Sequence, residues 1–259
     1  MLLADTRAII TGAAGGLGRC FTLELLKAGA MVAAGDIDLA GLEQLRQESR
    51  TYLASPPDEG RLLTGKLDVS QEASVTAFVK QYSAQLKGAN LLVNNAGVLR
   101  DGLLAKSEAG WVRKLPTAQW KQAIDINLTG GYLMAREFIA EVLERKIAPS
   151  VIINISSMSS AGNPGQSNYA ASKAGLDACT RTWALELAAQ GIRVGGIAPG
   201  VIDTPMLNQV APETKNELLE QIPIGRPGAP HDIWLALKFI IECEFFTGRV
   251  IAVDGGADF

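Results

Sequence analysis

The chain has 259 residues, of which 47% are hydrophobic and 20% charged, with 27 glycines; this is the composition of a folded α/β protein, not of a disordered or fibrous one. A formal net charge of −3 provides no broad cationic field, so nucleic acid and anionic membrane surfaces are excluded as expected partners. Residues 1–10 lack the pattern of a signal peptide, and no apolar run approaches the roughly 18 residues of a membrane span, so we expect a cytoplasmic protein.

Short apolar runs alternate with longer segments of helical periodicity along the chain. Buried strands are predicted at residues 7–10, 31–34, 91–93, 151–155, 194–198 and 249–253, with a weaker strand at 62–67. Residues 55–60, with two prolines, predict a surface loop. Strands that alternate with helices imply a parallel sheet covered on both faces. We therefore predict an α/β, Rossmann-type, doubly wound sheet of about seven strands, forming a single domain over residues 1–259.

A turn of small residues joins the first strand to the first helix: Thr-Gly-Ala-Ala-Gly-Gly-Leu-Gly at residues 11–18. Small residues let the backbone approach a pyrophosphate, and the helix N-terminus supplies N–H donors and a positive dipole. Such a turn alone can equally be a tight strand-to-helix connection. In this context we expect dinucleotide contacts from Gly12, Gly15, Gly16, Leu17 and Gly18.

Asp36 ends the second predicted strand, eighteen residues beyond Gly18. A carboxylate there can accept hydrogen bonds from an adenosine ribose and would repel a 2′-phosphate. No basic side chain lies between Gly12 and Gly18. The alternative is a solvated acidic residue at a strand end. The pattern favours NAD as the cofactor over NADP, which stays open as the second choice.

Polar and small residues follow two further strands. Asp68 and Val69 come after the weak third strand, and Asn94, Ala96 and Gly97 come after the fourth. Ligands of open α/β sheets bind at the carboxyl ends of the strands. We therefore expect these five residues beside the cofactor, although the Asn94 amide can equally tie neighbouring strands together.

Tyr169 and Lys173 lie four residues apart on a predicted helix, so both side chains share one face. A nearby ammonium stabilises a phenolate and lowers the pKa of a tyrosine from its usual value of about 10. The pair is therefore expected to perform acid/base chemistry at neutral pH. Lys173 can also hold the ribose of a nicotinamide cofactor.

These motifs together resemble the short-chain dehydrogenase/reductase family. The resemblance is carried by the glycine turn, by Asn94–Gly97, by a serine ahead of Tyr169-x-x-x-Lys173 and by Pro199-Gly200, and it covers nearly the whole chain. The sequence of residues 165–175, Gly-Gln-Ser-Asn-Tyr-Ala-Ala-Ser-Lys-Ala-Gly, is most similar to the corresponding segment of 3-oxoacyl-[acyl-carrier-protein] reductases and related hydroxyacyl dehydrogenases.

The resemblance implies an NAD(P)-dependent enzyme of fatty acid metabolism that moves a hydride between nicotinamide and a carbonyl or secondary alcohol. Tyr169 would be the general acid in reduction and the base in oxidation, Lys173 its pKa tuner and ribose ligand, and Asn127 the anchor of a proton relay. The expected substrate is a 3-oxoacyl thioester and the expected assembly a homotetramer. Alternatives are a sugar, polyol or steroid alcohol dehydrogenase and, in another class, a non-catalytic nucleotide sensor.

The family also implies a serine that polarises the substrate oxygen. Two ways of aligning this sequence with the family pattern give two different serines. Counting thirteen residues back from Tyr169 gives Ser156, whereas aligning the strand ending Asn-Ile-Ser-Ser gives Ser157. Strands fix side-chain direction with a period of two, whereas loops absorb deletions. We favour Ser157, with Ser156 as the alternative.

The loop after the sixth predicted strand resembles the nicotinamide-side loop of the family, which implies cofactor contacts from Pro199, Gly200, Ile202 and Thr204; alternatively Pro-Gly is only a turn. The following helical stretch, through Pro223, is expected to be a substrate lid. The domain thus divides into a nucleotide-binding part at about 1–150 and a part at about 151–259 with the catalytic helix, lid and last strand.

The segment before the Asn127 helix, the single histidine and the three cysteines are expected to have no catalytic role. Residues 103–116 are favoured as a solvated β-hairpin without a chemical role, although their basic residues would suit an acyl carrier or coenzyme A phosphate. His231, the single histidine, follows Pro230 and is expected to be structural. Cys20, Cys179 and Cys243 are expected to be reduced thiols. No metal site is predicted.

Overall fold

The computed structural model of the protein describes residues 1–52, 60–108, 110–209 and 212–257. The predicted loop at residues 55–60 lies outside the described residues except for Gly60. The strands are β1 Arg7–Thr11, β2 Met31–Asp36, β3 Leu62–Lys66, β4 Leu91–Asn94, β5 Ala105–Glu108, β6 Trp111–Lys114, β7 Ser150–Ile155, β8 Ile192–Pro199 and β9 Arg249–Val253. The α-helices are α1 Gly16–Lys27, α2 Leu39–Ser49, α3 Glu72–Gln85, α4 Thr117–Ile124, α5 Gly130–Arg145, α6 Ser167–Leu187, α7 Pro212–Glu220 and α8 Pro230–Glu242.

Seven strands form one parallel sheet in the order β3-β2-β1-β4-β7-β8-β9. The predicted fold class and all seven predicted strands are confirmed. From β1 the chain first builds outward through β2 and β3, then returns to place β4 on the other side of β1. This reversal is the point at which open α/β sheets bind their ligands, outside the carboxyl ends of the strands.

The sheet is covered on both faces because its side chains alternate. Ile9 lies in a buried cluster with Val79 of α3 and Phe138 of α5, whereas Ile10 lies in a second cluster with Leu25 of α1 and Leu237 of α8. Adjacent residues of a strand point to opposite faces. Two apolar layers therefore hold the strand ends, and with them the site, in a fixed frame.

A chain of buried hydrogen bonds crosses the middle of the sheet. The Asn94 Nδ2 of β4 donates to Asn154 Oδ1 of β7 at 2.9 Å, and Asn154 Nδ2 donates to Thr180 Oγ1 of α6 at 2.9 Å. All three side chains are buried. These hydrogen bonds fix α6 relative to the two central strands.

Residues 103–116 contain a two-stranded antiparallel hairpin, formed by β5 and β6. Trp111 is 81% exposed, and every residue of β6 is exposed. The hairpin expectation is confirmed. In the part of the chain that the structure describes, no helix is both long and apolar enough to cross a membrane.

Candidate active site

The glycine turn between β1 and α1 is shaped by backbone contacts that exclude side chains. Gly12 has φ +65°, and a Cβ there would lie 2.9 Å from the Cα of Ala96. A Cβ on Gly18 would overlap the carbonyl oxygen of Gly12, whereas a Cβ on Gly15 would meet nothing within 4 Å. Gly12 and Gly18 therefore keep the turn tight, and Gly15 faces open space.

The N-terminus of α1 faces that open space. The helix begins at Gly16, and Gly15 before it supplies no side-chain cap. N–H groups of the first helical turn have no partner within a helix and readily bind phosphate. The Leu17 side chain packs against the core, so of this residue only the backbone can serve a dinucleotide.

Asn95 and Thr11 hold the turn to the neighbouring strand end, and neither was singled out from the sequence. Asn95 Nδ2 donates to the carbonyl oxygens of Thr11 and Gly12, each at 3.0 Å. Thr11 Oγ1 accepts from the backbone N–H of Asn95 and of Ala96, each at 3.0 Å. The available signal was the doubled asparagine at the end of β4, of which only Asn94 was considered.

Asp36 connects the glycine turn to the start of α2. Its Oδ2 accepts from the backbone N–H of Ala14 at 2.9 Å, and its Oδ1 accepts from the N–H of Asp38 at 3.0 Å. Asp38 Oδ1 in turn caps α2 by accepting from Gly41 N at 3.0 Å. The carboxylate is therefore held in place and is not simply solvated.

A cleft of about 580 Å³ runs past these residues. Its far wall comes from the loop after β8, where the Thr204 side chain lies 3.7 Å from a Cβ built on Gly16. The lining includes Ala14, Gly15, Gly16, Arg19, Asp36, Asp38, Gly41, Gln44, Asp203, Thr204, Pro205 and Pro230. The tight turn, the unpaired helix end and the acidic wall fit the pyrophosphate and ribose of a nicotinamide dinucleotide.

The remaining strand-end residues have mixed surroundings. Asp68 Oδ1 accepts from the backbone N–H and the hydroxyl of Ser70 at 3.0 and 2.7 Å. Val69 packs closely on Gly130: a Cβ added to Gly130 would lie 2.7 Å from Val69 Cγ2. The Asn94 amide bonds Asn154 and the carbonyl oxygen of Gly131. Of the two roles considered for Asn94, its side chain performs the strand-tying one.

The loop after β8 is anchored at both ends. Gly200 N donates to the carbonyl oxygen of Val253 at 3.0 Å, and a Cβ on Gly200 would lie 2.6 Å from the Cα of Asp254. Ile202 is buried and forms a parallel bridge with Gly228. The Pro199-Gly200 turn thus directs Thr204 toward the cleft.

Tyr169 and Lys173 lie one turn apart on α6, as expected, and both are buried. The Lys173 Nζ lies 5.5 Å from the centre of the Tyr169 ring. The expected lowering of the phenol's pKa is wrong for this structure: burial raises the pKa of Tyr169 to about 12, against a lowering effect of the Ser157 hydrogen bond. Burial lowers the pKa of Lys173 to about 8, opposed by the charge of Asp177.

Lys173 and Asn127 meet beside Gly97. Lys173 Nζ donates to the carbonyl oxygen of Ile155 at 2.7 Å, and a Cβ on Gly97 would lie 3.6 Å from this Nζ and 3.4 Å from Asn127 Oδ1. Asn127 accepts from Val98 N at 2.8 Å and donates to Val98 O at 3.1 Å. Gly97 therefore leaves the space that these two polar side chains share.

Asn127 reaches this position through a local widening of its helix. A π-helical turn spans Asp125–Thr129 between α4 and α5, and π-turns are frequent at functional sites. Asn127 Nδ2 also donates to Ser172 Oγ at 3.2 Å, and Ser172 donates to the carbonyl oxygen of Tyr169 at 2.7 Å. Ser172, which sequence reasoning passed over, thus links Asn127 to α6 beside Tyr169.

The two candidate serines differ in their surroundings. The Ser157 hydroxyl lies within hydrogen-bonding range of the Tyr169 phenol and accepts from Ser159 N at 3.1 Å. The Ser156 hydroxyl is buried without a hydrogen-bond partner, and its backbone N–H donates to the carbonyl oxygen of Ile197. The geometry brings Ser157, not Ser156, to the tyrosine.

The other polar candidates lie apart from this site. His231 is in the first turn of α8, and Cys20, Cys179 and Cys243 are unpaired thiols. Within the described ranges, no group of three or more His, Cys, Asp or Glu side chains is arranged to hold a metal ion. Asp101, not considered from the sequence, lies near enough to raise the pKa of Tyr169 by its charge.

Comparison with known proteins agrees with this geometry. A family model described as enoyl-(acyl carrier protein) reductase, within the short-chain dehydrogenase/reductases, matches residues 12–258. The chain belongs to the short-chain dehydrogenase/reductase family. It is accordingly an NAD(P)-dependent oxidoreductase acting on a carbonyl or alcohol.

Several known proteins are similar to this chain over nearly their whole length. The 3-oxoacyl-[acyl-carrier-protein] reductase FabG of Thermotoga maritima is 36% identical, with 99% of each chain covered. The (2S)-[(R)-hydroxy(phenyl)methyl]succinyl-CoA dehydrogenase subunit BbsD of Thauera aromatica is 36% identical over 96% of this chain and 95% of its own. Among solved structures, levodione reductase has a TM-score of 0.85 at 28% identity, with 97% of each chain covered.

Proposed function

We propose that this family member is an NAD(H)-dependent 3-oxoacyl thioester reductase, or the reverse hydroxyacyl dehydrogenase. The observation that carries the proposal is the meeting of Tyr169, Ser157 and Lys173 at the carboxyl edge of the sheet. The glycine turn and its cleft begin at the same edge. Proton-handling groups and a dinucleotide cradle on one edge support hydride transfer to a carbonyl.

A nicotinamide dinucleotide in the cleft would supply the hydride, and the residues of the chain would donate and return the proton. Burial raises the pKa of Tyr169 to about 12, so its phenol is protonated at neutral pH and suited to donate to a carbonyl oxygen. Ser157 would hold that oxygen by a second hydrogen bond. As the phenol loses its proton, the Lys173 ammonium stabilises the negative charge.

We propose that the proton returns to Tyr169 by way of Lys173 and Asn127. Lys173 and Asn127 share the space beside Gly97. Asn127 lies in the π-turn, and its side chain is held in place by two hydrogen bonds to the backbone of Val98. Asn127 is proposed to position the relay that reprotonates Lys173 after each turnover. It does so without changing its own charge.

NAD is the cofactor that we propose for this cleft. The Asp36 carboxylate lies in the lining and is held by two backbone N–H groups. A fixed negative charge accepts ribose hydroxyls and repels a 2′-phosphate. We propose contacts from Gly12, Gly15, Gly16, Leu17, Gly18, Asp36, Asp68, Val69, Asn94, Ala96, Gly97, Tyr169, Lys173, Pro199, Gly200, Ile202 and Thr204, with only backbone groups available from Leu17 and Asn94.

The cofactor preference is tested with one charge removed at a time. Steady-state rates should show a higher kcat/KM with NADH than with NADPH. Asp36→Asn should narrow that ratio about tenfold, because each 1.4 kcal/mol of repulsion corresponds to a factor of ten. Asp203→Asn, a matched change elsewhere in the same cleft, should leave the ratio unchanged. A wild-type preference for NADPH would refute the assignment.

The substrate class rests on the relatives. The names of two relatives that are 36% identical specify thioesters, one on an acyl carrier protein and one on coenzyme A. This favours a 3-oxoacyl thioester over a sugar, polyol or steroid alcohol. The decisive assay follows NADH absorbance with an acetoacetyl thioester, for wild type and for Tyr169→Phe. Tight NADH binding without turnover of any carbonyl would instead support a nucleotide sensor.

We also propose a homotetramer in a reducing, cytoplasmic compartment. Leu185 of α6 is 86% exposed, and Phe245 after α8 is fully exposed, as large apolar side chains at interfaces are before assembly. Exposed apolar side chains of this kind can form the self-complementary interfaces from which a closed tetramer is built. The unpaired thiols suit a reducing compartment.

A further inference from the structure

Among the described residues that line the nucleotide cleft, one side chain is basic. Arg19 shares the lining with three carboxylates, those of Asp36, Asp38 and Asp203. It lies in the first turn of α1, where its backbone N–H donates to the carbonyl oxygen of Gly15 at 3.2 Å. Sequence reasoning stopped at the glycine turn and did not consider it. Arg19 is therefore the lining residue whose charge could attract a 2′-phosphate, the group that distinguishes NADP from NAD.

Arg19 is already engaged by Glu48 of α2. Its Nε donates to Glu48 Oε2 at 2.7 Å, and its Nη2 donates to the same oxygen. Two donors on one carboxylate oxygen fix the direction of the planar guanidinium. The Arg19 side chain is 31% exposed and lines the cleft, whereas Glu48 lies outside the lining. The pair therefore draws the guanidinium toward α2 and neutralises its charge at the edge of the cleft.

The two charges stand at the unfavourable ends of their own helices. Arg19 adds a cation to the positive N-terminal end of α1, and Glu48 adds an anion to the negative C-terminal end of α2. An ion pair as exposed as this one contributes only about 0–1 kcal/mol to stability. Helix stability is therefore a weak reason for the pair, whereas its effect on the charge of the cleft is direct.

The face of α2 that carries Glu48 also packs against the glycine turn. Gly41 and Glu48 are seven residues apart, about two helical turns, so both lie on one face. A Cβ added to Gly41 would lie 2.8 Å from the Cβ of Ala14, and the N–H of Ala14 donates to the Asp36 carboxylate at 2.9 Å. Arg19, if released from Glu48, would therefore stay in the same cleft as Asp36, where we propose that the adenosine ribose binds.

We propose that Glu48 is a positioning residue for the choice of cofactor: it holds Arg19 away from a 2′-phosphate and cancels its charge. The inference deepens the proposed NAD preference and rests on the proposed nucleotide site. Asp36 repels the 2′-phosphate, and Glu48 withdraws the cation that would otherwise compensate this repulsion. Loss of Glu48 should release Arg19 to the 2′-phosphate. The 5′-phosphate, held by backbone N–H groups of α1, should be affected little.

Calorimetric titration with two nucleotide probes tests this without turnover. Adenosine 5′-monophosphate lacks the 2′-phosphate that adenosine 2′,5′-bisphosphate carries. Glu48→Ala should tighten binding of the bisphosphate about tenfold, the scale of one charge-assisted hydrogen bond, and change that of the monophosphate less than twofold. Alanine is a strong helix former, so α2 should be retained. Glu43→Ala removes an equal charge from the same helix, where Glu43 pairs with Arg46 at 4.0 Å, and should leave both affinities within twofold.

An Arg19→Gln background separates release of the guanidinium from simple loss of a negative charge. In that background Glu48→Ala should no longer tighten binding of the bisphosphate. The inference is overturned if the gain persists there, if Glu48→Ala binds both probes as wild type does, if Glu43→Ala shows the same gain, or if wild type binds neither probe.

Failure of the proposed function has a different signature. If wild type reduces no thioester, or prefers NADPH, the proposed substrate or cofactor is wrong. The inference is then still judged by whether Glu48→Ala tightens bisphosphate binding through Arg19, because the titrations need neither substrate nor turnover. In steady-state assays of an active enzyme, Glu48→Ala should raise kcat/KM with NADPH and leave kcat/KM with NADH within twofold.

Discussion

At Lys173, burial and function act in opposite directions. The ammonium is 3% exposed, and burial lowers its pKa to about 8 from the 10.5 of the free group. Its hydrogen bond to Ile155 O and the charge of Asp177 only partly offset this cost. The residue that we propose as the stabiliser of the phenolate therefore destabilises the folded chain while it is protonated.

This conflict predicts a pH-dependent stability. Between pH 8 and 10.5 the unfolded chain holds the Lys173 proton and the folded chain releases it, so the free energy of unfolding should rise with pH. Below pH 8 both states are protonated and the penalty is complete. From pH 7 to 9.5 wild type should gain about 2 kcal/mol relative to Lys173→Met. Urea unfolding at both pH values measures this; parallel changes in the two proteins would contradict it.

The two serines allow a matched comparison. Ser157→Ala should lower kcat by about 10²-fold or more, because the hydroxyl next to Tyr169 would no longer hold the substrate oxygen. Ser156→Ala removes a buried hydroxyl that lacks a partner, so it should leave kcat within a fewfold and stability unchanged or slightly higher. Steady-state kinetics and thermal melting of both variants decide. A larger loss of kcat in Ser156→Ala would reverse the assignment.

The β1–α1 unit is the element to which we assign dinucleotide binding. Gly18→Ala would overlap the Gly12 carbonyl oxygen, so it should lower the melting temperature and weaken NADH binding more than tenfold. Gly15→Ala faces open space, with φ −152° in the extended range, and should melt as wild type does. NADH titration and thermal melting of the pair provide the check. Equal melting temperatures would show that the turn tolerates a methyl group at Gly18.

Whole elements were predictable where the physical signal is local. The buried strands follow from apolar runs, and the pairing of Tyr169 with Lys173 follows from helical spacing. The π-turn that positions Asn127 was not predictable, because its extra residue leaves no mark in a periodicity of 3.6. The pKa of Tyr169 was misjudged because a sequence shows a neighbouring charge but not the depth of burial. Asn95 was missed since its bonds to Thr11 join residues 84 positions apart.

At the scale of the whole molecule, exposed apolar side chains predict assembly. Phe245 is fully exposed, so Phe245→Ser should change the free energy of unfolding of the isolated subunit very little. If it lies in a subunit interface, light scattering during gel filtration should show the tetramer shifting toward dimers. Leu104→Ser, a change at a leucine that is 71% exposed on the hairpin, is the control and should keep the mass. A monomeric wild type would refute the assembly.

The hydrogen bonds from Asn94 through Asn154 to Thr180 run across the boundary at about residue 150. β4 and β7, which lie on either side of that boundary in the chain, are paired neighbours in the middle of the sheet. A fragment ending at residue 150 would expose the open edge of β4 and remove the Asn154 acceptor, so that the Asn94 amide keeps only its bond to the carbonyl oxygen of Gly131; the lost hydrogen bond costs about 1 kcal/mol. Neither fragment should fold in isolation, yet the two co-expressed should find each other and restore turnover, which makes residues 146–149 a natural place to split the enzyme into a complementing pair.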